Sequence, residues 1–326
     1  FTGSAFNDNL TLNLNYTDLD GNPAYPGYAV KVEFDGGTDL PGLSDDQLRI
    51  VASGPQTYAT AGLFVTATDD ILVGGRLTSS GDVDLQSAEG IVVGSGTQLQ
   101  ARDIRIASVA VGQGLPLLDE IVATANASVT IDGASLGGRQ IGIDAGASVT
   151  LDSSQIGLFP PYLRFGLVTA NLGAVVDIRG ASVITATAGL AVEARSTANV
   201  TLQSQPDANA TQSETDAALA ISQVGSNAEV RVRGSSSLGA GGALAVGAVN
   251  AVNAKAVADG GAGSSSGTAL GGTVAVNIVG GNTRASIEDA ASLSGASLSV
   301  TSEATRQIET LARSTQGGAT EPGAGG

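Results

Sequence analysis

Ala127-Ser128-Val129-Thr130-Ile131 returns as Ala147-Ser148-Val149-Thr150-Leu151. Looser copies stand at Ala174-Val175-Val176-Asp177-Ile178, Ala198-Asn199-Val200-Thr201-Leu202 and Ala228-Glu229-Val230-Arg231-Val232, with a shortened one at Ala285-Ser286-Ile287. In each phrase the first, third and fifth residues are apolar or small, and the second and fourth are mostly polar. Alternate side chains of an extended strand point to opposite faces, so each phrase reads as a strand with one buried face. Short strands that recur at a nearly fixed spacing predict stacked coils, each burying its apolar face with its neighbours.

Outward from these phrases the pattern persists. Ile71-Leu72-Val73, Val83-Asp84-Leu85, Ile91-Val92-Val93 and Ile104-Arg105-Ile106 are short strands separated by Gly, Ser and Asp. Ile71 to Ile91 and Val129 to Val149 each span 20 positions, which suggests one coil. Later intervals lengthen to 27 (Val149 to Val176), 24 (to Val200) and 30 (to Val230). A second strand type recurs at Leu190-Ala191-Val192-Glu193, Leu219-Ala220-Ile221-Ser222, Leu244-Ala245-Val246-Gly247 and Leu298-Ser299-Val300-Thr301. A third element recurs at Gly133-Ala134-Ser135-Leu136, Gly180-Ala181-Ser182-Val183 and Gly295-Ala296-Ser297-Leu298. Three elements per coil predict an all-β, right-handed parallel β-helix (a solenoid) over residues 61–313, with loop insertions near 158–166, 204–216 and 259–271. Residues 243–258 are rich in Ala, a strong helix former, but Val246, Val249, Val252 and Val257 favour strand, and 272–279 reads likewise. Gly260 to Gly267 reads as a flexible loop. Residues 1–60 hold three further strand patterns and four of the five Tyr, and are expected to form an atypical N-terminal β module or cap. Residues 314–326, ending Glu321-Pro322-Gly323-Ala324-Gly325-Gly326, read as a linker-like tail.

Composition narrows the function. Gly accounts for 46 of 326 residues and aromatics for 3%, so a core of Ala, Val, Ile and Leu must fill a narrow interior. Cys, His, Met and Trp are all absent. Without His there is no Ser-His-Asp or Cys-His nucleophile system, and without Cys no thiolate, disulfide or usual structural zinc. Stability must come from packing and strand hydrogen bonds. Net charge is −16 and lysine occurs only at Lys31 and Lys255, so nucleic acid, which needs clustered Lys and Arg, is not an expected partner. No uninterrupted apolar run approaches the ~18–20 residues of a membrane helix. The sequence starts at Phe1 without a charged-then-apolar leader, as expected for a mature form or an interior piece of a longer chain.

Asp70-Ile71-Leu72-Val73, Ser80-Gly81-Asp82-Val83-Asp84-Leu85-Gln86-Ser87-Ala88 and Gly94-Ser95-Gly96-Thr97-Gln98-Leu99-Gln100-Ala101 resemble filamentous haemagglutinin-type coils. Gly271-Gly272-Thr273-Val274-Ala275-Val276-Asn277-Ile278-Val279 with Thr283-Arg284-Ala285-Ser286-Ile287-Glu288-Asp289 looks like the repeats of giant bacterial surface adhesins. The resemblance covers about residues 61–313 and identifies an architecture rather than a ligand. It implies a secreted β-helical stalk of a Gram-negative-type cell surface, used in attachment or matrix building, with no shared catalytic residues.

Several chemistries have candidate residues. Asp132 and Asp152 occupy equivalent places in consecutive phrases, and stacked carboxylates can raise one another's pKa or bind a cation. Two carboxylates suffice for glycoside hydrolysis, so the alternative to a stalk is a polysaccharide-active β-helix lyase or hydrolase. The next equivalents, Arg179, Gln203 and Arg233, favour a solvated mixed-charge face. Calcium is the one cofactor considered: Gly3-Ser4-Ala5-Phe6-Asn7-Asp8-Asn9-Leu10 and Asp35-Gly36-Gly37-Thr38-Asp39-Leu40 partly match a Gly/Asp calcium repeat, giving Asp8, Asp35, Asp39, Asp45 and Asp46 as candidate ligands. Thr130, Thr150 and Thr201 align in the phrase as a short threonine ladder, interrupted by Asp177, Arg231 and Glu288. Asn9, Asn15, Asn126, Asn199 and Asn209 fit the glycosylation acceptor pattern. Phe159, Tyr162, Gln205 and Asp216 mark the insertions expected to carry contacts, because recognition concentrates in loops on a rigid scaffold. The expected partners are surface glycans, host or matrix proteins, or further copies associating end to end or side by side.

Overall fold

The computed structural model describes residues 9–13, 29–34, 47–52, 58–60, 62–117, 120–153, 165–204, 215–263 and 270–317. Those residues form an all-β structure with a large, predominantly parallel sheet and no α-helix, hence no helix able to cross a membrane. The strands fall into three stacks. The first contains β1 (Asn9–Asn13), β3 (Gln47–Ala52), the start of β6 (Asp70–Ser79), β8 (Gly90–Val93), β12 (Glu120–Asp132), β14 (Phe165–Arg179) and β16 (Thr215–Val232). It finishes on β19 (Leu270–Gly280) and β20 (Thr283–Ile287), both paired with β16. The second contains β2 (Ala29–Phe34), β5 (Gly62–Ala67), β7 (Val83–Ser87), β10 (Asp103–Gly112), β13 (Ser135–Asp152), β15 (Val183–Ser204), β18 (Ala243–Gly263) and β22 (Ser297–Gly317).

The third stack is narrower. It joins β4 (Tyr58–Thr60), the end of β6, β9 (Gln98–Gln100), the starts of β13 and β15, β17 (Ser237–Ala240) and β21 (Ser292–Ser294). A register shift between Gly138 and Gln140 marks where β13 passes from this stack to the second. β11 (Leu115–Leu117) makes an antiparallel pairing with the start of β12. The strands of the first sixty residues enter the same stacks: β1 lies on β3, β3 on β6, β2 on β5 and β4 on β6.

Register shows how far the chain travels before it stacks on itself. In the second stack Leu63 meets Val83, Val83 meets Ile104, Ile104 meets Ile141, Ile141 meets Leu190, Leu190 meets Leu244 and Leu244 meets Leu298. The steps grow from 20 and 21 residues through 37 and 49 to 54 and 54. Strands lengthen with them, from five residues in β7 to 22 in β15 and 21 in β18 and β22. The extra residues therefore extend the strands as well as the loops.

The 20-residue spacing of the opening phrase has a different cause from the one expected. Val129 does not stack on Val149; its partners are Ile91 and Val176 in the first stack, while Val149 pairs with Gly112 and Ala198 in the second. The two copies are successive strands of one circuit. Consequently Asp132 opposes Arg179, and Asp152 opposes Thr201, so the expected carboxylate pair is not formed. The threonine ladder fails for the same reason: Thr130 opposes Asp177, Thr150 opposes Asn199 and Thr201 opposes Asp152 and Lys255. Gly295-Ala296-Ser297-Leu298 also leaves its expected group, because Leu298 stacks on Leu244 and not on the third stack. Residues 243–258 and 272–279 are strands, but β18 runs through Gly260 to Gly263, where a loop was expected, and β22 continues to Gly317.

Inward columns explain the small-residue composition. Ile91, Val129, Val176 and Val230 stack in register and are fully buried, as are Leu99, Leu136, Ile184 and Leu238 in the third stack. In the wider circuits Ala145, Ala194 and Ala248 form one such column. The next inward position holds polar groups: the Ser196 and Ser226 hydroxyls lie 2.7 Å apart, Ser226 Oγ donates to Asn250 Oδ1 (2.8 Å), and Asn250 Nδ2 donates to the Ser226 carbonyl (2.6 Å). Ser226 belongs to the first stack and the other two to the second, so the network ties facing sheets together with its buried polar groups paired.

Candidate functional site

The outer face of the second stack carries the best-formed side-chain constellation. On β10, β13 and β15 the even-odd alternation that buries Ile104, Ile141 and Leu190 turns Arg105, Asp144, Glu193 and Arg195 outward. Register brings them together: Ala107, Asp144 and Glu193 are cross-strand neighbours, and so are Val109, Gly146 and Arg195, then Val111, Ser148 and Thr197. Gly142 and Gly146 flank Asp144 on its own strand and lack side chains, so the surface dips around its carboxylate. The result is a basin of about 350 Å³ lined by Arg105, Val109, Asp144, Glu193, Arg195 and Thr197 among others. Val109, 51% exposed, gives it an apolar margin.

Its electrostatics are mixed. Burial first, and then the neighbouring Glu193 carboxylate, push the Asp144 carboxyl above its ordinary value, while Arg105 and Arg195 act in the opposite direction. Glu193 is held by Arg195 Nη2 at 2.6 Å, and Arg105 reaches Asp84 at 3.7 Å. Because burial raises its proton affinity, the Asp144 carboxyl keeps its proton to higher pH than an isolated aspartate and can act as a hydrogen-bond donor beside the guanidinium-paired Glu193. The guanidiniums supply donors, Glu193 an acceptor and Val109 apolar contact, a set suited to a polyhydroxylated ligand. The sequence reading did not single these residues out; strand alternation turns them outward, but only register pairs Asp144 with Glu193, 49 positions away.

A second charged group is structural. Asp177, 8% exposed, accepts two hydrogen bonds from Arg233 (2.8 and 2.7 Å) and one from Arg179 (3.2 Å), and Arg179 also reaches Asp132 at 3.1 Å. Arg231 pairs with Glu229 beside it. Asp132, Asp177, Arg179 and Arg233 lie at, near or just past the ends of β12, β14 and β16, which lead into turns at Gly133, Gly180 and Gly234, all with positive φ. Asp132, Asp177, Arg179 and Arg233 are paired with one another here, which holds the turns in register, while the buried Arg231 Nε has no hydrogen-bond partner.

The strands that flank the expected insertions end and resume at corresponding places in the two stacks. Described strands end at Asp152, Ser204 and Gly263 in the second stack and resume at Phe165, Thr215 and Leu270 in the first. Phe159, Tyr162 and Gln205 lie outside the described residues, as do Asp8, Asp35, Asp39, Asp45 and Asp46 of the calcium expectation; Asp216 lies on β16, its backbone opposite Gly271. Where these strands resume, the outer face of the first stack is apolar: Phe165, Leu219 and Val274 form one cross-strand row, and Leu167, Ile221 and Val276 the next. Val274 and Ile278 are 52% and 53% exposed. Asn126 and Asn199 of the glycosylation pattern are exposed on outward positions; Asn15 and Asn209 are outside the described residues, and Asn9 is described as backbone in β1. Among the described residues no group of three or more Asp, Glu, His or Cys is placed to hold a metal. Comparison of the chain with family models, with curated proteins and with solved structures finds no match.

Proposed function

We propose that this chain is a right-handed β-solenoid that serves as a structural or adhesive stalk at a bacterial cell surface, outside the cell. The observation carrying this reading is the register itself: three stacks of parallel strands run from β1 to β22, each strand laid on one from the previous circuit. A stack of this kind resists bending through its hydrogen-bond ladders and needs no covalent crosslink. The outward apolar rows at Phe165, Leu167, Leu219, Ile221, Val274 and Val276 add a contact surface, because contiguous exposed apolar area on a folded protein marks an interaction site. Attachment would use this patch, with a matrix protein or surface glycan as partner. The test is retention of the labelled chain on immobilised matrix proteins and a glycan panel, together with antibody labelling of intact cells of the source organism. Binding lost on Leu219→Asp, with surface labelling, supports the reading; no retention on any surface, or labelling only after lysis, overturns it.

A second reading is favoured by one observation, the Asp144 and Glu193 pair in its basin. It would make the chain a polysaccharide-active enzyme, with Asp144 as the proton donor and Glu193 as base or nucleophile. Reducing-end release from acidic and neutral glycans, abolished in Asp144→Asn, would establish it; no release from any glycan would dismiss it.

A further inference from the structure

Three glycines stand around the Asp144 and Glu193 carboxylates, and the fold requires none of them. Gly142 and Gly146 are outward positions of β13 on either side of Asp144, and Gly247 of β18 lies opposite Glu193. None has a positive φ. A Cβ on each would meet nothing closer than 3.7, 3.9 and 3.5 Å respectively, ordinary contact distances. Other glycines of these strands are held by their surroundings: a Cβ at Gly112 would press on the Thr124 carbonyl at 2.6 Å, and one at Gly189 on Gln140 Oε1 at 2.7 Å. Glycine weakens a strand interior, and where packing does not ask for it, it marks a place where something else approaches the backbone. β10, β13 and β15 are flanked by β7 on one side and β18 on the other, so the floor of the basin is bounded by paired strands in both directions.

What lies on that floor must suit the groups around it. Arg195 is held by Glu193 at 2.6 Å and Arg105 faces Asp84 at 3.7 Å, so each guanidinium has a carboxylate as counter-charge. Burial, and then Glu193, favour the neutral form of Asp144. The basin thus holds donors and acceptors without an excess of positive charge, on a chain of net charge −16, and its field does not draw anions. No aromatic ring lines it, and Val109 is its one large apolar side chain, so a flat aromatic or hydrocarbon ligand finds little contact. Arg105 lies beyond hydrogen-bond distance of Asp84, which leaves its N–H groups for a ligand, and Ser148 and Thr197 add hydroxyls. A volume of about 350 Å³ is near the lower end for small-molecule pockets and takes roughly one or two sugar rings.

We propose that the basin over β10, β13 and β15 is a binding site for a neutral sugar, in which Arg105 and Arg195 donate to sugar hydroxyls, Glu193 accepts from one, and Gly142 and Gly146 let the ring lie close to the backbone of β13. The proposal names the ligand of the basin on which the enzyme reading also rests, and it requires no turnover.

Titration calorimetry with glucose, galactose, mannose and their common disaccharides, beside glucuronate and galacturonate, tests it. At least one neutral sugar is expected to bind saturably, and the matching uronate to bind more weakly. Gly146→Val puts a branched side chain into the basin where the backbone has room for it, and valine suits a strand. Its melting temperature should therefore hold or rise while sugar affinity falls about tenfold or more. Arg105→Gln removes a guanidinium whose side chain is 54% exposed, and should weaken binding roughly tenfold as well, so it decides the matter even if Gly146→Val does not fold. No binding of any neutral sugar, tighter binding of a uronate than of its neutral counterpart, or unchanged affinity in either folded variant would each overturn the proposal. Release of reducing ends tests the enzyme reading separately: sugar binding without release upholds the site and dismisses the enzyme, and release without sugar binding does the reverse.

Discussion

Asp177 is a polar group that the fold cannot release. It sits at 8% exposure under Arg179 and Arg233, which are themselves partly in solvent. Asp177→Ala would leave two guanidiniums stacked without their shared acceptor. Breaking a buried pair costs ~3–5 kcal/mol, and solvent screening of the arginines brings the expected loss to about 2 kcal/mol, read from urea denaturation. Asp144 predicts the opposite pH behaviour from a salt-bridged aspartate. Its folded-state pKa is raised, mainly by burial. Between the unfolded and folded values the native state holds more protons, so stability falls as pH rises through that window, which starts near the ordinary aspartate range. In Asp144→Asn the fall should flatten, measured as the melting temperature across mildly acidic pH; an unchanged slope would assign the dependence to other groups. The outward direction of Asp144 was legible in the alternation Ile143-Asp144-Ala145, but its pairing with Glu193 was not, because their separation depends on the whole circuit between them.

At the scale of elements, two glycines that look alike in sequence should behave differently. Gly281, between β19 and β20, has φ 146°, and a Cβ there would run into the Ser226 backbone carbonyl. Gly281→Ala should therefore lower the melting temperature markedly, since both the conformation and the space exclude it. Gly137 on β13 would place a Cβ against the end of the Gln100 side chain, which can swing away, so Gly137→Ala should be nearly neutral in the same measurement. The Ser196–Ser226–Asn250 network makes a further prediction. Asn250→Ala removes the partner of the Ser226 carbonyl and hydroxyl, and should cost ~1–3 kcal/mol, the usual cost of stranding buried polar groups, in denaturant titration. Strand identity at this scale followed from alternation in almost every phrase. The Ala-rich stretch of β18 followed too, because its valines suit a half-buried pleated surface. Its extension to Gly263 was not legible: Asp259-Gly260-Gly261 has loop composition, yet it is held as strand by pairing with Arg313-Ser314-Thr315 of β22.

For the whole molecule, the number of paired neighbours of each strand is expected to govern its local stability. Among the described residues, middle strands such as β14 and β15 have paired neighbours on both sides, whereas β1, β2 and β22 pair on one side. Amide exchange should be slowest in β14 and β15 and fastest in those end strands, a gradient that mass spectrometry of deuterated peptides can read; uniform exchange would mean that the chain opens as one unit. The sequence by itself determined that the chain is all strand, which side chains point inward, and that the core is built from small aliphatics without cysteine, histidine or metal-binding imidazole, because period-two alternation and composition are local properties. Tertiary structure alone decided which strands are neighbours. Every face of such a chain carries the same alternation, so Val129 and Val149 are indistinguishable in pattern although they lie in different stacks. Only the pairing of strands distant in sequence, 20 residues apart at one end and 54 at the other, sets Asp132 on Arg179 and Asp144 beside Glu193.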